Sequence, residues 1–121
     1  MNDLPLHELI ALLEKELLRL HYTNQSVNYY RLMWGHIVTF CESNGTDRYT
    51  EDLGMRFLDK RYNFSELEKT GKLTQSIINV LRVVLMLGDF QQHRSILRRY
   101  YKQKDLLQNN EFGEIVTTDL A

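Results

Sequence analysis

The stretch that decides the fold runs Thr23-Asn-Gln-Ser-Val-Asn-Tyr-Tyr-Arg-Leu-Met-Trp-Gly-His-Ile-Val-Thr-Phe-Cys41. Apolar residues recur in it at i, i+3, i+7, i+10 and i+14, which places them on one stripe of an α-helix. These residues are Val27, Tyr30, Trp34, Ile37 and Cys41. The pattern predicts an amphipathic helix in which Trp34 is a core residue and not a platform on which bases stack. Cys41 is predicted to be a buried structural thiol.

The composition of the whole chain favours a single helical domain. The chain has 121 residues, 43% of them hydrophobic and 26% charged, with one Pro and six Gly. Few helix breakers and many Leu, Glu, Lys and Arg favour α-helices, and the length suffices for one core. No apolar run approaches the roughly 20 residues that span a bilayer, and no signal peptide is visible. We therefore expect a cytoplasmic protein that has no membrane partner.

Local signals delimit the first two helices. The first is predicted from about Leu4 to His21, with Asp3 as N-cap and Pro5 in the first turn. Thr23 is predicted to cap the second helix by accepting a hydrogen bond from the Ser26 amide. The second helix should end at Asn44-Gly45, because Gly adopts the left-handed conformation without steric cost.

Further signals predict the remaining helices. Thr50 should cap a third helix that closes at Tyr62, and Ser65-Glu-Leu-Glu68 matches a capping box that can begin one or two turns. A fourth main helix should begin at Leu73 or Thr74 and be the most buried element, since it is apolar over most of its circumference. The chain is therefore predicted to be an all-α bundle of four to five helices.

Two helices carry amide and guanidinium side chains where Glu and Lys are more usual. On the second helix these are Asn24, Gln25, Asn28 and Arg31, and on the fourth main helix they are Gln75, Asn79 and Arg82. Amides and Arg are the side chains that make bidentate contacts with DNA base edges. We expect both stripes to point toward one patch of solvent that meets DNA; the alternative is a solvated polar face with no partner.

Charge is distributed unevenly along the chain. Residues 1–55 hold 4 basic and 8 acidic side chains (net −4), residues 56–104 hold 11 and 4 (net +7), and residues 105–121 hold 0 and 4 (net −4). A basic block creates a local attractive field for nucleic acid even when the total charge is −1. The alternative is a basic surface that is merely solvated.

The order of these features resembles a known family. The pattern Thr23-x-x-Ser26-x-x-x-Tyr30-x-x-x-Trp34, preceded by a Leu-rich helix, is similar to the N-terminal core-binding domain of tyrosine recombinases, the phage-integrase family. The stretch from Leu81 to Phe90, continuing to Leu97-Arg-Arg99, is also similar to integrases of Gram-positive mobile elements. The resemblance covers roughly residues 4–99.

The resemblance implies a SAM-like orthogonal bundle over residues 1–100 that forms one jaw of a clamp on the recombination site. Residues 101–121 would be a basic-to-acidic linker or tail leading to an absent C-terminal catalytic domain. Partners would be double-stranded DNA, that domain, and other recombinase protomers on DNA, and the origin would be bacterial or phage. The family's catalytic His-x-x-Arg is absent, because none of the four His is followed by Arg at the third position. We therefore expect no catalysis by this chain, no cofactor and no metal.

The second and fourth main helices would lie against the major groove. The residues expected to contact DNA are Thr23, Asn24, Ser26, Asn28, Arg31, Gln75, Asn79, Arg82, Arg94, Arg98 and Arg99. Hydroxyls at a helix N-terminus suit a phosphate, amides suit base edges, and the late arginines suit the backbone. The competing hypothesis is a helical protein–protein interaction module, with the apolar surplus of the fourth main helix or the tail as its docking surface.

Overall fold

The computed structural model describes residues 4–96, which form five α-helices and no strand. The helices are α1 (Leu6–Arg19), α2 (Asn24–Ser43), α3 (Glu51–Tyr62), α4 (Phe64–Lys69) and α5 (Gln75–His93). The predicted all-α bundle is therefore confirmed for this part of the chain. The predicted N-cap Asp3 and the predicted tail, residues 101–121, lie outside the described residues.

The corner between α1 and α2 is tight. Helix α1 is two residues shorter at each end than predicted. Its N-cap is Pro5, which was predicted in the first turn, and its C-terminal end stops before His21, which adopts a left-handed conformation with φ 66°. The Tyr22 amide donates to the Leu17 carbonyl at 3.0 Å, and the His21 amide donates to the Leu18 carbonyl at 3.1 Å. This Schellman pattern satisfies the last carbonyls of the helix and turns the chain at once into the α2 cap.

Three threonines cap helices: Thr23 and Thr50 do so as predicted, and Thr74 caps α5, which begins at Gln75 and not at the predicted Leu73 or Thr74. The hydroxyl oxygens of Thr23, Thr50 and Thr74 accept hydrogen bonds from the amides of Ser26, Leu53 and Ile77, at 3.1, 3.1 and 3.3 Å. Each bond satisfies one of the amides that a helix N-terminus leaves without a partner. At the other end of α2, Asn44 is the C-cap and Gly45 has φ 76°, so the predicted stop is confirmed.

The predicted capping box at Ser65 is wrong. Helix α4 begins one residue earlier, at Phe64, after Asn63 in a left-handed conformation. The Ser65 amide and hydroxyl both donate to the Asp59 carboxylate on α3, at 2.7 and 3.0 Å. The long-range partner thus takes the place of the local Ser–Glu exchange.

The core lies between the apolar stripes of all five helices. Helix α5 contributes more buried residues than any other helix of the described part, as predicted, and it packs against α1, α2 and α3. Trp34 is 2% exposed and Cys41 is 1% exposed, so both predicted core positions are confirmed. No helix within residues 4–96 combines the length and apolarity needed to cross a bilayer.

A residue outside the helices fastens α5 to α3. Tyr49, in the α2–α3 loop, is fully buried, and its hydroxyl donates to the Val84 carbonyl at 2.9 Å. Helix α3 passes close to this ring at Gly54, where a Cβ would collide with the Tyr49 hydroxyl. The hydrogen bond and the close approach together fix the position of α5, which carries the second predicted polar stripe.

Candidate nucleic-acid interface

One backbone amide in the first turn of α2 already donates a hydrogen bond to the N-cap residue. The Ser26 amide is used by Thr23, whose hydroxyl hydrogen stays available to donate. Thr23 and Asn24 are exposed, and Ser26 is half-buried. The remaining free amides of this turn and the helix dipole suit a phosphate, as predicted for Thr23 and Ser26.

The polar stripe of α5 is a connected hydrogen-bond chain. Gln75 Nε2 donates to Asn79 Oδ1 at 3.0 Å, and Arg82 Nη2 donates to the same oxygen at 2.8 Å. All three side chains are half-buried. The shared Asn79 oxygen therefore links the three side chains into one hydrogen-bonded stripe.

A recess joins part of α2 to this stripe. It has a volume of about 360 Å³ and opens to solvent. Its lining residues are Gln25, Ser26, Tyr29, Tyr30, Asn79 and Arg82. The structure therefore brings amide, hydroxyl and guanidinium groups from two helices to one place, which we call the α2–α5 recess.

Tyrosines supply neutral hydroxyls around Arg82. Burial raises the pKa of Tyr30 to about 12, with a further contribution from neighbouring Tyr22 that Arg82 opposes. Burial also raises the pKa of Tyr29, and Arg82 opposes that shift too. Both phenols are therefore protonated near neutral pH, so the only formal charge among the residues lining the α2–α5 recess is that of Arg82. The recess therefore combines one guanidinium with neutral donors and acceptors.

The other α2 candidates lie on the opposite flank. Asn24, Asn28 and Arg31 follow one another at i, i+4 and i+7, and none of them lines the α2–α5 recess. Arg31 forms a two-point ion pair with Glu14 of α1, with N–O distances of 3.1 and 2.7 Å, and donates to Asn28 at 2.7 Å. The Arg31 hydrogen bond lowers the pKa of Glu14. The predicted single patch is thus divided, with Arg31 bracing α2 against α1.

The late arginines have a different position. Arg94 is the C-cap of α5, with φ 55°, and its guanidinium donates to the carbonyls of Phe90 and Gln91 at 3.0 and 2.9 Å. It also lies over the Phe90 ring at 5.8 Å. Arg94 therefore stabilises the helix end while staying half-exposed, and Arg98 and Arg99 lie outside the described residues.

Three residues that line the α2–α5 recess are absent from the predicted contacts: Tyr30, which is predicted in the core, and Gln25 and Tyr29. Gln25 was placed on the polar face but not among the contact residues, and Tyr29 was not considered. Their spacing could have found them, because Gln25, Ser26 and Tyr29 share a flank of α2 at i, i+1 and i+4. No group of three or more His, Cys, Asp or Glu side chains within residues 4–96 could hold a metal ion.

Comparison with known protein families, with curated proteins and with solved structures found no significant match for this chain. A functional assignment must therefore come from the helices, the α2–α5 recess and the resemblance in sequence pattern. Of these, the recess is where Gln25 and Ser26 of α2 come together with Asn79 and Arg82 of α5.

Proposed function

We propose that the chain is a non-catalytic DNA-binding domain of a site-specific tyrosine recombinase, a SAM-like core-binding jaw that grips duplex DNA through α2 and α5. The observation that carries this proposal is the α2–α5 recess, where Gln25 and Ser26 of α2 face Asn79 and Arg82 of α5. Catalysis would belong to a separate C-terminal domain, and protomers would meet on the DNA.

The chemistry of the recess fits the edge of a DNA groove. Arg and amide side chains offer the forked and two-point contacts that distinguish guanine and adenine. Arg82 is held by Asn79, so its guanidinium loses little freedom on binding. Thr23, exposed at the end of α2, can donate to a phosphate beside the recess. We assign the interface to this flank of α2, away from the Glu14–Arg31 pair.

The surface of the described residues gives little support to the rival interaction module. Its large exposed apolar residues are Leu12, Leu18 and Leu32, and none of them belongs to α5. The apolar surplus of α5 is instead half-buried against the core, at Ile77, Leu81 and Leu85. The apolar surface of α5 is therefore partly buried, and the tail, the other docking surface of the rival hypothesis, lies outside the described residues.

Fluorescence anisotropy with a labelled duplex tests the proposal. Affinity should fall by orders of magnitude between about 50 and about 200 mM salt, because phosphate contacts release counterions. Arg82→Ala should weaken binding by about 1–3 kcal/mol, and Arg82→Lys should restore only part of the loss, because Lys keeps the charge without the fork.

Arg31→Ala is the matched control, since it removes the same side chain from the other flank of α2. The affinity of Arg31→Ala for DNA should stay within roughly twofold of the wild type, a change much smaller than the one caused by losing a base contact. An affinity that does not change with salt concentration, or equal affinities of the wild type and Arg82→Ala, would reject the proposal. Circular dichroism of each variant checks that the helices are retained.

A further inference from the structure

A second concave surface lies between the C-terminal half of α2 and α3. It consists of two recesses of about 670 and 340 Å³. The two share Phe40, Ser43 and Lys60 among their lining residues, so they join into one depression, which we call the α2–α3 groove.

The α2–α3 groove is basic. Arg56, Lys60 and Arg61 line it together with one carboxylate, Asp59, whose oxygens already accept two hydrogen bonds from Ser65. Arg56 lies 3.3 Å from the Asp52 carboxylate, in an exposed pair that contributes little.

Two of these cations are available to an external anion. Among residues 4–96, the side chains of Lys60 and Arg61 make no hydrogen bond or ion pair, and the Arg61 guanidinium lies 5.8 Å from the centre of the Tyr62 ring. Both side chains are exposed. The surplus of positive charge in the α2–α3 groove is therefore accessible from solvent.

One face of α2 connects this groove to the α2–α5 recess. Residues at i, i+4, i+7, i+11, i+14 and i+18 share a helix face, and here they are Gln25, Tyr29, Leu32, His36, Thr39 and Ser43. The first two line the α2–α5 recess and the last three line the α2–α3 groove. Leu32 lies between the two sites and is 57% exposed. The two sites are thus the ends of one continuous surface.

The separation of the two ends suits a DNA groove. Ten residues separate Tyr29 from Thr39, which is about 15 Å along a helix axis. The major groove of B-DNA is about 12 Å wide. A duplex whose base edges face Arg82 and Leu32 would therefore bring one of its two backbones toward Lys60 and Arg61.

We infer that Lys60 and Arg61 bind the phosphodiester backbone of duplex DNA on the side of the groove opposite to Arg82. This inference rests on the proposed DNA-binding function and extends it to α3. The exposed Leu32 between the two ends supplies an apolar surface of the kind that contacts a thymine methyl group. Lys60 and Arg61 read no sequence; they position α2 on the duplex.

The test compares two double variants in the same anisotropy assay, with a labelled duplex over a salt series. Lys60→Ala/Arg61→Ala should weaken binding roughly tenfold for every duplex sequence and reduce the slope of log affinity against log salt by about 2. Lys15→Ala/Arg19→Ala removes the same charge types from the exposed surface of α1 and should change neither quantity. Lys60→Gln alone should reduce the slope by about 1.

The outcomes separate the inference from the proposed function. If Arg82→Ala weakens binding while Lys60→Ala/Arg61→Ala behaves like the α1 control, the α2–α3 groove has no such role and only the inference falls. If the wild type does not bind duplex DNA at low salt, both fall. A uniform loss of affinity with a reduced salt slope supports the inference, with thermal melts confirming that each variant is folded.

Discussion

Replacing Gly54 with Ala should test how α3 and α5 are held together. A Cβ at this position would collide with the Tyr49 hydroxyl and lie 2.6 Å from Val84 Cγ1. Tyr49 and Val84 are both fully buried, so neither can move into solvent. Either α3 shifts away from α5, or Tyr49 leaves the Val84 carbonyl and its buried hydrogen bond is lost.

The magnitude follows from those two routes. Overpacking a core costs about 1–3 kcal/mol, and leaving a buried polar group without a partner costs about 1–3 kcal/mol. The better helix propensity of Ala returns about 1 kcal/mol. Either route alone gives a net loss of up to about 2 kcal/mol, and both together give about 1–5 kcal/mol, against the 5–15 kcal/mol typical of a domain.

Gly35→Ala provides the matched control. Gly35 lies within α2, and a Cβ there meets nothing within 4 Å. The same substitution should therefore stabilise the protein by about 0.5–1 kcal/mol, through helix propensity alone. Urea unfolding followed by Trp34 fluorescence measures both changes. If Gly54→Ala were as stable as Gly35→Ala, the close approach of α3 to Tyr49 would be refuted.

Three further predictions concern the core and the titrating groups. Trp34→Ala should cost about 3–5 kcal/mol of stability, because it empties a buried site. Trp34→Phe should cost much less, since Trp34 Nε1 has no hydrogen-bond partner within residues 4–96 that Phe would lose. Equal urea midpoints for the two variants would contradict this prediction. Burial raises the pKa of Tyr30 to about 12. The folded state therefore keeps the Tyr30 proton at pH values where the unfolded state, with a pKa near 10, has lost it. Tyr30 should therefore contribute a loss of about 2–3 kcal/mol between about pH 10 and 12, and alkaline unfolding curves of Tyr30→Phe should fall less steeply by that amount. The Arg31 hydrogen bond lowers the pKa of Glu14, so this pair stabilises the fold above the ordinary carboxyl pKa and less as pH falls through the lowered one. The effect should be small because both side chains are solvent-accessible, and acid unfolding of Arg31→Ala should be slightly shallower than that of the wild type.

Local chemistry made much of the fold predictable. Thr23, Thr50 and Thr74 cap helices because a hydroxyl can satisfy an amide three residues later, and that geometry needs nothing beyond the adjoining turn. The stripe through Trp34 is buried because its period matches that of a helix. Ser65 has the same local signal but a distant competitor, the Asp59 carboxylate, which no local rule reveals.

The candidate site was less accessible to sequence reasoning. A helical period shows which α2 residues share a face, but it does not show which flank meets α5 and which meets α1. That choice depends on how the helices cross, and it separates Ser26, in the α2–α5 recess, from Arg31, paired with Glu14. Tyr49 was missed for a related reason, because a loop tyrosine carries no periodic signal of its burial against α5.

The tight corner at His21 has a consequence for association. Helix α1 ends at Arg19, α2 begins at Asn24, and the Glu14–Arg31 bridge ties the two together beyond that corner. Such a hairpin has little slack, so docking should require no ordering of this segment. Calorimetry should then give a heat-capacity change accounted for by the apolar area that the two molecules bury, without the larger value typical of coupled folding.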